Sequence, residues 1–186
     1  MTSPAVSHQA QQRLLHRFNP QASAASGNPV NGALPLQILE RLIHESVGVE
    51  ACDSVKWEAT AQLRAGANGQ VDTWLHLRAD TSLMLTCQRC MGVIQTPLLV
   101  DQWYRFVESE EVAMRDDDAC EEDLLVTAPE FDLAALLEDE LLMALPLVPM
   151  HQACPALSAV AAAQSDEPAA GDEKPNPFAV LAQLKR

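Results

Sequence analysis

The sequence predicts an α+β fold: an antiparallel β-meander, as a partly open sheet or a barrel, with a few flanking helices and flexible termini. Three observations predict it. Residues 55–64 alternate without a break, with Val55, Trp57, Ala59, Ala61 and Leu63 on one parity and Lys56, Glu58, Thr60, Gln62 and Arg64 on the other. That is the pattern of a strand with one buried face. Asn68-Gly69 follows, a strong signal for a tight hairpin. Segments 34–47 and 133–144 instead repeat apolar residues every three or four positions, the period of an amphipathic helix.

The elements follow in order. Residues 1–32 are rich in Gln, Ala, Ser, Asn and Pro, with Arg13 and Arg17 as their only formal charges, and read as a mobile segment. Within it, 14–18 has the apolar residues to pack as a short strand or turn. The first helix, 34–47, uses Leu36, Leu39, Ile43 and Val47, with Ile38 and Leu42 beside them, and stops at Gly48. After the strand at 55–64, residues 71–87 place Val71, Leu75, Leu77, Leu83, Leu85 and Cys87 on one parity. This run exceeds a usual strand, so a bend is expected near 79–82. Residues 93–107 make a further long strand or strand pair, with Pro97 at an edge or bulge. Cys87-Gln-Arg-Cys90 is then a tight connection between two strands.

Beyond the sheet, residues 108–130 read as a mobile acidic loop. Asp132 caps the second helix, whose apolar face is Leu133, Leu136, Leu137, Leu141 and Leu145, and Pro146 ends it. The core domain is 33–154, and 155–173 is a disordered, low-complexity linker. The tail, 174–186, is a short helix. Asn176 suits its cap and Pro177 its first position, and Phe178, Leu181 and Leu184 share one side. So short a helix is unstable alone in water, so these three residues must dock, on their own domain or on a partner.

Charge is concentrated. The chain carries −14, and residues 108–140 alone hold 14 acids against one base, Arg115. Such a field repels phosphate and attracts basic partners. A solvated loop and helix face is the plain alternative. If the region is a surface, Glu121, Glu122, Asp123, Glu138 and Asp139 are the candidate partner-binding residues. No apolar run reaches the roughly 20 residues of a membrane helix, and the polar N-terminus lacks a signal-like stretch. The expectation is a cytoplasmic protein that engages neither membrane nor DNA.

Five cysteines, two of them as Cys87-x-x-Cys90, suggest metal chemistry, redox chemistry or plain core thiols rather than a disulfide framework. Two thiolates at that spacing can hold one tetrahedral ion from a tight turn. His151 and Cys154 are the local candidates to complete a structural zinc site, if the chain after the acidic helix returns to the turn. Cys52 and Cys120 have no partners by spacing. Arg78, Arg89 and Arg105, with Arg64, His76 and Trp74, could form a basic, aromatic sheet face that meets RNA directly. A second, partly covered sheet face is the alternative, because Trp74 favours burial. Glu138, Asp139 and Glu140 point in different directions on a helix and do not converge on one substrate. The sequence has no Gly-rich phosphate loop, nucleophile elbow or His-Glu-x-x-His motif, so nothing in it argues for an enzyme.

Four marks stand in order: Cys-Gln-Arg-Cys at 87–90, an acidic helix ending Leu-Leu-Met-Ala-Leu-Pro-Leu-Val-Pro at 141–149, a His/Cys element at 151–154, and Lys-Pro-Asn-Pro-Phe-Ala-Val-Leu-Ala-Gln-Leu-Lys at 174–185. Together they closely resemble the YceD family of large ribosomal RNA subunit accumulation proteins, from about residue 35 to the end. The resemblance implies a bacterial cytoplasmic protein needed for synthesis, processing or stability of 23S ribosomal RNA, and it supplies no catalytic residues. It also implies a fuller cysteine-rich element after the acidic helix in some members, where this chain has only His151 and Cys154. The expected partner is a large-subunit RNA precursor or a basic ribosomal protein, with any RNA contact confined to the nearly neutral remainder of the chain.

Overall fold

The computed structural model describes residues 15–50, 53–66 and 69–154. Two compact units divide the chain, Met1–His151 and Gln152–Arg186. The first holds all the elements below. The expected tail helix with Phe178, Leu181 and Leu184, the linker 155–173 and Cys52 lie outside the described residues.

Five strands form one open sheet in the order β1-β2-β3-β4-β5: β1 Val30–Pro35, β2 Ser54–Ala65, β3 Val71–Thr86, β4 Val93–Val107 and β5 Asp123–Val126. The first three pairings are antiparallel, and β4–β5 is parallel. Four helices are described: α1 Pro20–Ser26, α2 Glu40–His44, α3 Glu110–Asp116 and α4 Leu133–Met143. The α+β class and the meander therefore hold, with a parallel fifth strand that makes the sheet mixed.

Alternation decides the two faces of the sheet. Val55, Trp57, Ala59, Ala61, Leu75, Leu77, Leu83, Leu98, Val100, Tyr104 and Phe106 point inward and are buried. The buried residues of α1, α2 and α4 join this one cluster, including Ala24, Leu42, Leu133, Leu137 and Leu141. Each fully buried leucine of this kind contributes about 1.5–3 kcal/mol through lost contact with water.

Several elements differ from their sequence pattern for local reasons. The expected helix 34–47 is β1, then a 3-10 turn at Leu36–Ile38, then only α2. Pro35 favours extended backbone before it and opposes helix continuation, and Leu34 pairs with Val55 across the sheet. Leu34, Leu36, Leu39 and Leu42 are nonetheless all buried, so the apolar spacing serves packing without a continuous helix. Within the segment expected to be mobile, Leu15 and Phe18 of the stretch allowed as a short strand or turn join the core, and so does Ala24 beyond it. Phe18 and Phe131 exchange both backbone hydrogen bonds, at 2.9 and 2.7 Å. β3 runs unbroken through 79–82, where a bend was expected, and pairs with β4 continuously from Thr73↔Phe106 to Thr86↔Val93. Pro97 lies in the part of β4 that β5 does not reach, so its missing N–H interrupts no β4–β5 pairing. The acidic stretch is partly ordered: Ser109 caps α3 by accepting from the Val112 N–H, Glu110 and Glu111 occupy the first turn, and β5 follows.

Glu138 ties α4 to α2. Its carboxylate accepts from the backbone N–H groups of Arg41 and Leu42 at 2.8 and 3.3 Å and from Arg41 Nε at 2.8 Å. Orphan donors at the start of α2 are thereby satisfied from another helix. Asp132 caps α4, accepting from the Ala135 N–H at 2.9 Å, and His16 lies 3.1 Å from it. Partial burial pushes the Asp132 carboxyl up, but the Ala135 and Ala134 N–H groups and His16 hold it below its usual range. Its folded value is thus below its unfolded value. The stabilisation is complete above the unfolded value of about 3.9 and is lost as pH falls through the lower folded value. Asp132→Ala is expected to cost about 1 kcal/mol in urea unfolding at pH 7. The difference from wild type should shrink as pH falls below the unfolded value and through the lower folded one.

Candidate functional site

The connection between β3 and β4 is a closed loop of backbone. The Cys87 N–H donates to the Gly92 carbonyl at 2.8 Å and the Met91 N–H to the Cys87 carbonyl at 2.9 Å. Met91 takes φ +58°, a left-handed conformation uncommon in a residue with a side chain, and it is held there by the turn's backbone hydrogen bonds. The turn is pinned from outside by residues 149–151. The Gln88 N–H donates to the Pro149 carbonyl at 2.9 Å, and Arg89 Nη2 donates to the His151 carbonyl at 2.7 Å. The chain after α4 therefore does return to the strand turn.

That return brings the four metal-candidate residues together. One ligand atom each from Cys87, Cys90, His151 and Cys154 lies within 4.8 Å of the others. Cys87 and Cys154 are buried, and Cys90 and His151 are half-buried. His151 Nδ1 stands 3.4 Å from the Cys90 sulfur, while Nε2 lies 3.1 Å from the Val93 carbonyl. With a proton on Nε2 donated to Val93, Nδ1 is left bare for an ion. That is the orientation metal-ligating histidines take from a backbone carbonyl partner. Burial pushes the Cys87 thiol up, but hydrogen bonds from His151, Arg89 and Cys90 outweigh it and bring the thiol down to about 5. Cys87 is therefore a thiolate at neutral pH, the form that binds metal. Three sulfurs and one imidazole form a donor set that could hold a metal ion and that suits a tetrahedral one.

A family model described as Large ribosomal RNA subunit accumulation protein YceD matches residues 75–185, more than half of the chain. The chain belongs to the YceD family. The Large ribosomal RNA subunit accumulation protein YceD of Haemophilus influenzae is 38% identical over 104 residues, which cover 55% of this chain and 59% of that relative. The chain thus spans about 59% of the length of the relative it matches. No solved structure matches the chain. The YceD match includes most of β3, all of β4, the cysteine turn and the His/Cys strap, and it leaves out β1 and β2.

The other candidate residues separate by surroundings. Glu122 is partly buried and accepts from Arg105 Nε at 2.7 Å, and Arg105 also pairs with Asp72 at 3.9 Å. Arg105 lines a depression of about 820 Å³ with Arg115, Asp72 and Asp116. Glu138 faces inward, as described above, and Asp139 pairs with Arg41 at 2.5 Å. Glu121 and Asp123 are exposed. Arg78 is exposed and pairs with Asp101 at 3.4 Å, whereas Arg89 turns its guanidinium to the His151 carbonyl. Sequence reasoning gave no role to Trp103. Its position on the outward parity of β4 was legible, but its reach across β3 to Arg64 was not. Among the described residues, no helix is long and apolar enough to cross a membrane.

Proposed function

We propose that the chain is a cytoplasmic, non-enzymatic factor that supports accumulation of large-subunit 23S ribosomal RNA by holding a basic ribosomal protein or assembly partner. The concentration of charge in residues 108–140 carries this reading, and the family's description supports the ribosomal setting. The contact uses the acids that no internal arginine engages, with Glu121 and Asp123 at its centre and Asp117 and Asp118 beside them. Glu122, Glu138 and Asp139 support it from within by holding β4 and α2 in place. The Cys87–Cys90–His151–Cys154 cluster takes a structural zinc ion that fastens the strap after α4 to the β3–β4 turn. Bound zinc supplies a crosslink there and no reaction chemistry.

A full chain carrying Asp117→Asn, Asp118→Asn, Glu121→Gln and Asp123→Asn together tests the partner surface. Its recovery of large-subunit precursor particles from cells should fall about tenfold, because several exposed charges act jointly in attraction. Wild-type recovery should also decline steeply with salt, since exposed charges are screened within about 8 Å at physiological ionic strength. Unchanged recovery by the neutralised chain sinks the acidic-surface reading.

A further inference from the structure

The outward face of β2, β3 and β4 carries rings the core does not use. Trp57 is the tryptophan of the inward face and is buried. Trp74 and Trp103 lie on the other parity, where Gln62 pairs with Trp74 and His76 with Trp103. Trp103 stacks flat on His76, with centroids 4.1 Å apart and planes at 5°. His76 is the inner leaf: its side chain is only 12% exposed, and its Nε2 lies 2.5 Å from Asp101. Trp74 meets Trp103 edge-on at 6.5 Å, making a wall beside it. The Arg64 guanidinium lies over Trp103 at 3.9 Å and near Trp74 at 4.7 Å. Arg17, Arg41, Arg78, Arg105 and Arg115 each pair with a carboxylate. Among the described residues Arg64 has no such ion pair; it rests on two rings, half-buried.

We propose that this face binds single-stranded RNA, with a nucleobase stacked on the Trp103 layer beside the edge of Trp74 and Arg64 neutralising the adjacent phosphate. An aromatic ring on an open sheet accepts any base by its π-face, and an arginine beside it supplies the charge that a base alone cannot use. Arg64 either stacks on the incoming base or leaves the ring for the phosphate. Arg64, close to the end of β2 and without an ion pair among the described residues, offers a basic protein no attraction, which separates this surface from the acidic one. Elsewhere on this face Arg78 and Lys56 are already matched by Asp101 and Asp80, so few phosphates are neutralised. Binding should therefore show a shallow salt dependence, a log–log slope of about −1 rather than the steep slope of a protein that wraps RNA. The choice of RNA rests on the proposed ribosomal role; the stacking site itself rests on the geometry.

The test uses the full chain and a labelled 12-nucleotide oligouridine at low salt, read by anisotropy and by tryptophan quenching. Saturable binding with quenching is expected. Arg64→Ala and Trp103→Leu should each weaken it about tenfold, and the neutralised acidic-region chain should bind at least as tightly as wild type does. Arg64→Ala lies outside the core, so it keeps the test decisive if Trp103→Leu fails to fold. Absence of saturable binding by wild type, or Arg64→Ala binding within twofold of it, overturns the site. Either result leaves the acidic-partner reading to its own particle-recovery test.

Discussion

Protein purified without metal-affinity steps is expected to carry one equivalent of zinc, and stripping that zinc should lower the thermal midpoint by roughly 8–16 °C. The reasoning is linkage. An ion bound only by the folded state stabilises it by about 4 kcal/mol when free metal is ~1,000 times the dissociation constant. In a chain of this size each kcal/mol moves the midpoint by roughly 2–4 °C. The cluster meets the requirements for such a site. Its donor atoms lie within 4.8 Å of one another, and His151 has its Nε2 turned to a carbonyl. Cys90→Ser should lose the stoichiometric zinc and most of the chelator-sensitive shift. A substitution at Arg89, which holds the strap through the His151 carbonyl without offering a ligand atom, should weaken zinc retention less. Elemental analysis and a melting curve with and without chelator read both outcomes. No stoichiometric zinc, together with a midpoint indifferent to chelator, removes the metal from the proposal.

Strands were the most legible part of the fold. β2 alternates so cleanly that four of its five inward residues, Val55, Trp57, Ala59 and Ala61, are buried, and Leu63 near the end of the strand is exposed. The first helix was misread because a repeat every three or four residues records which side chains are buried, not the backbone that buries them. Leu34 in a strand, Leu36 in a 3-10 turn and Leu42 in α2 satisfy the same spacing. The parallel β5 was hidden by its short, acid-flanked sequence; only its pairing with Tyr104–Val107 makes it a strand. At the candidate metal centre the ligand types and spacing were readable, and the return of the strap was a condition the sequence posed without meeting. That condition depends on hydrogen bonds between positions about sixty residues apart, such as Gln88 to Pro149. Glu138 shows the limit from the other side. As one of three consecutive acids it reads as surface charge, and only the approach of Arg41 turns it inward.

Leu137→Ala should destabilise the protein by about 2–5 kcal/mol, the usual range for emptying a buried leucine site. That corresponds to a midpoint lower by roughly 4–20 °C. Leu137 is fully buried, on the face of α4 that also carries Leu133 and Leu141. It belongs to the cluster that joins this helix to α2 and to the inward sheet face. Leu99→Ala is the matched control: Leu99 is 74% exposed on the outward parity of β4, and its loss should stay within about 0.5 kcal/mol. The two substitutions also separate packing from metal binding. The cysteine turn is held by its own backbone bonds and by residues 149–151, none of which involves Leu137. Folded Leu137→Ala protein should therefore keep its full zinc equivalent while melting early, whereas Cys90→Ser should lose the zinc with its core packing unaltered. If Leu137→Ala sheds zinc at temperatures well below its own unfolding, the strap is positioned by α4 rather than by the turn. The centre would then depend on the helical layer as much as on the sheet.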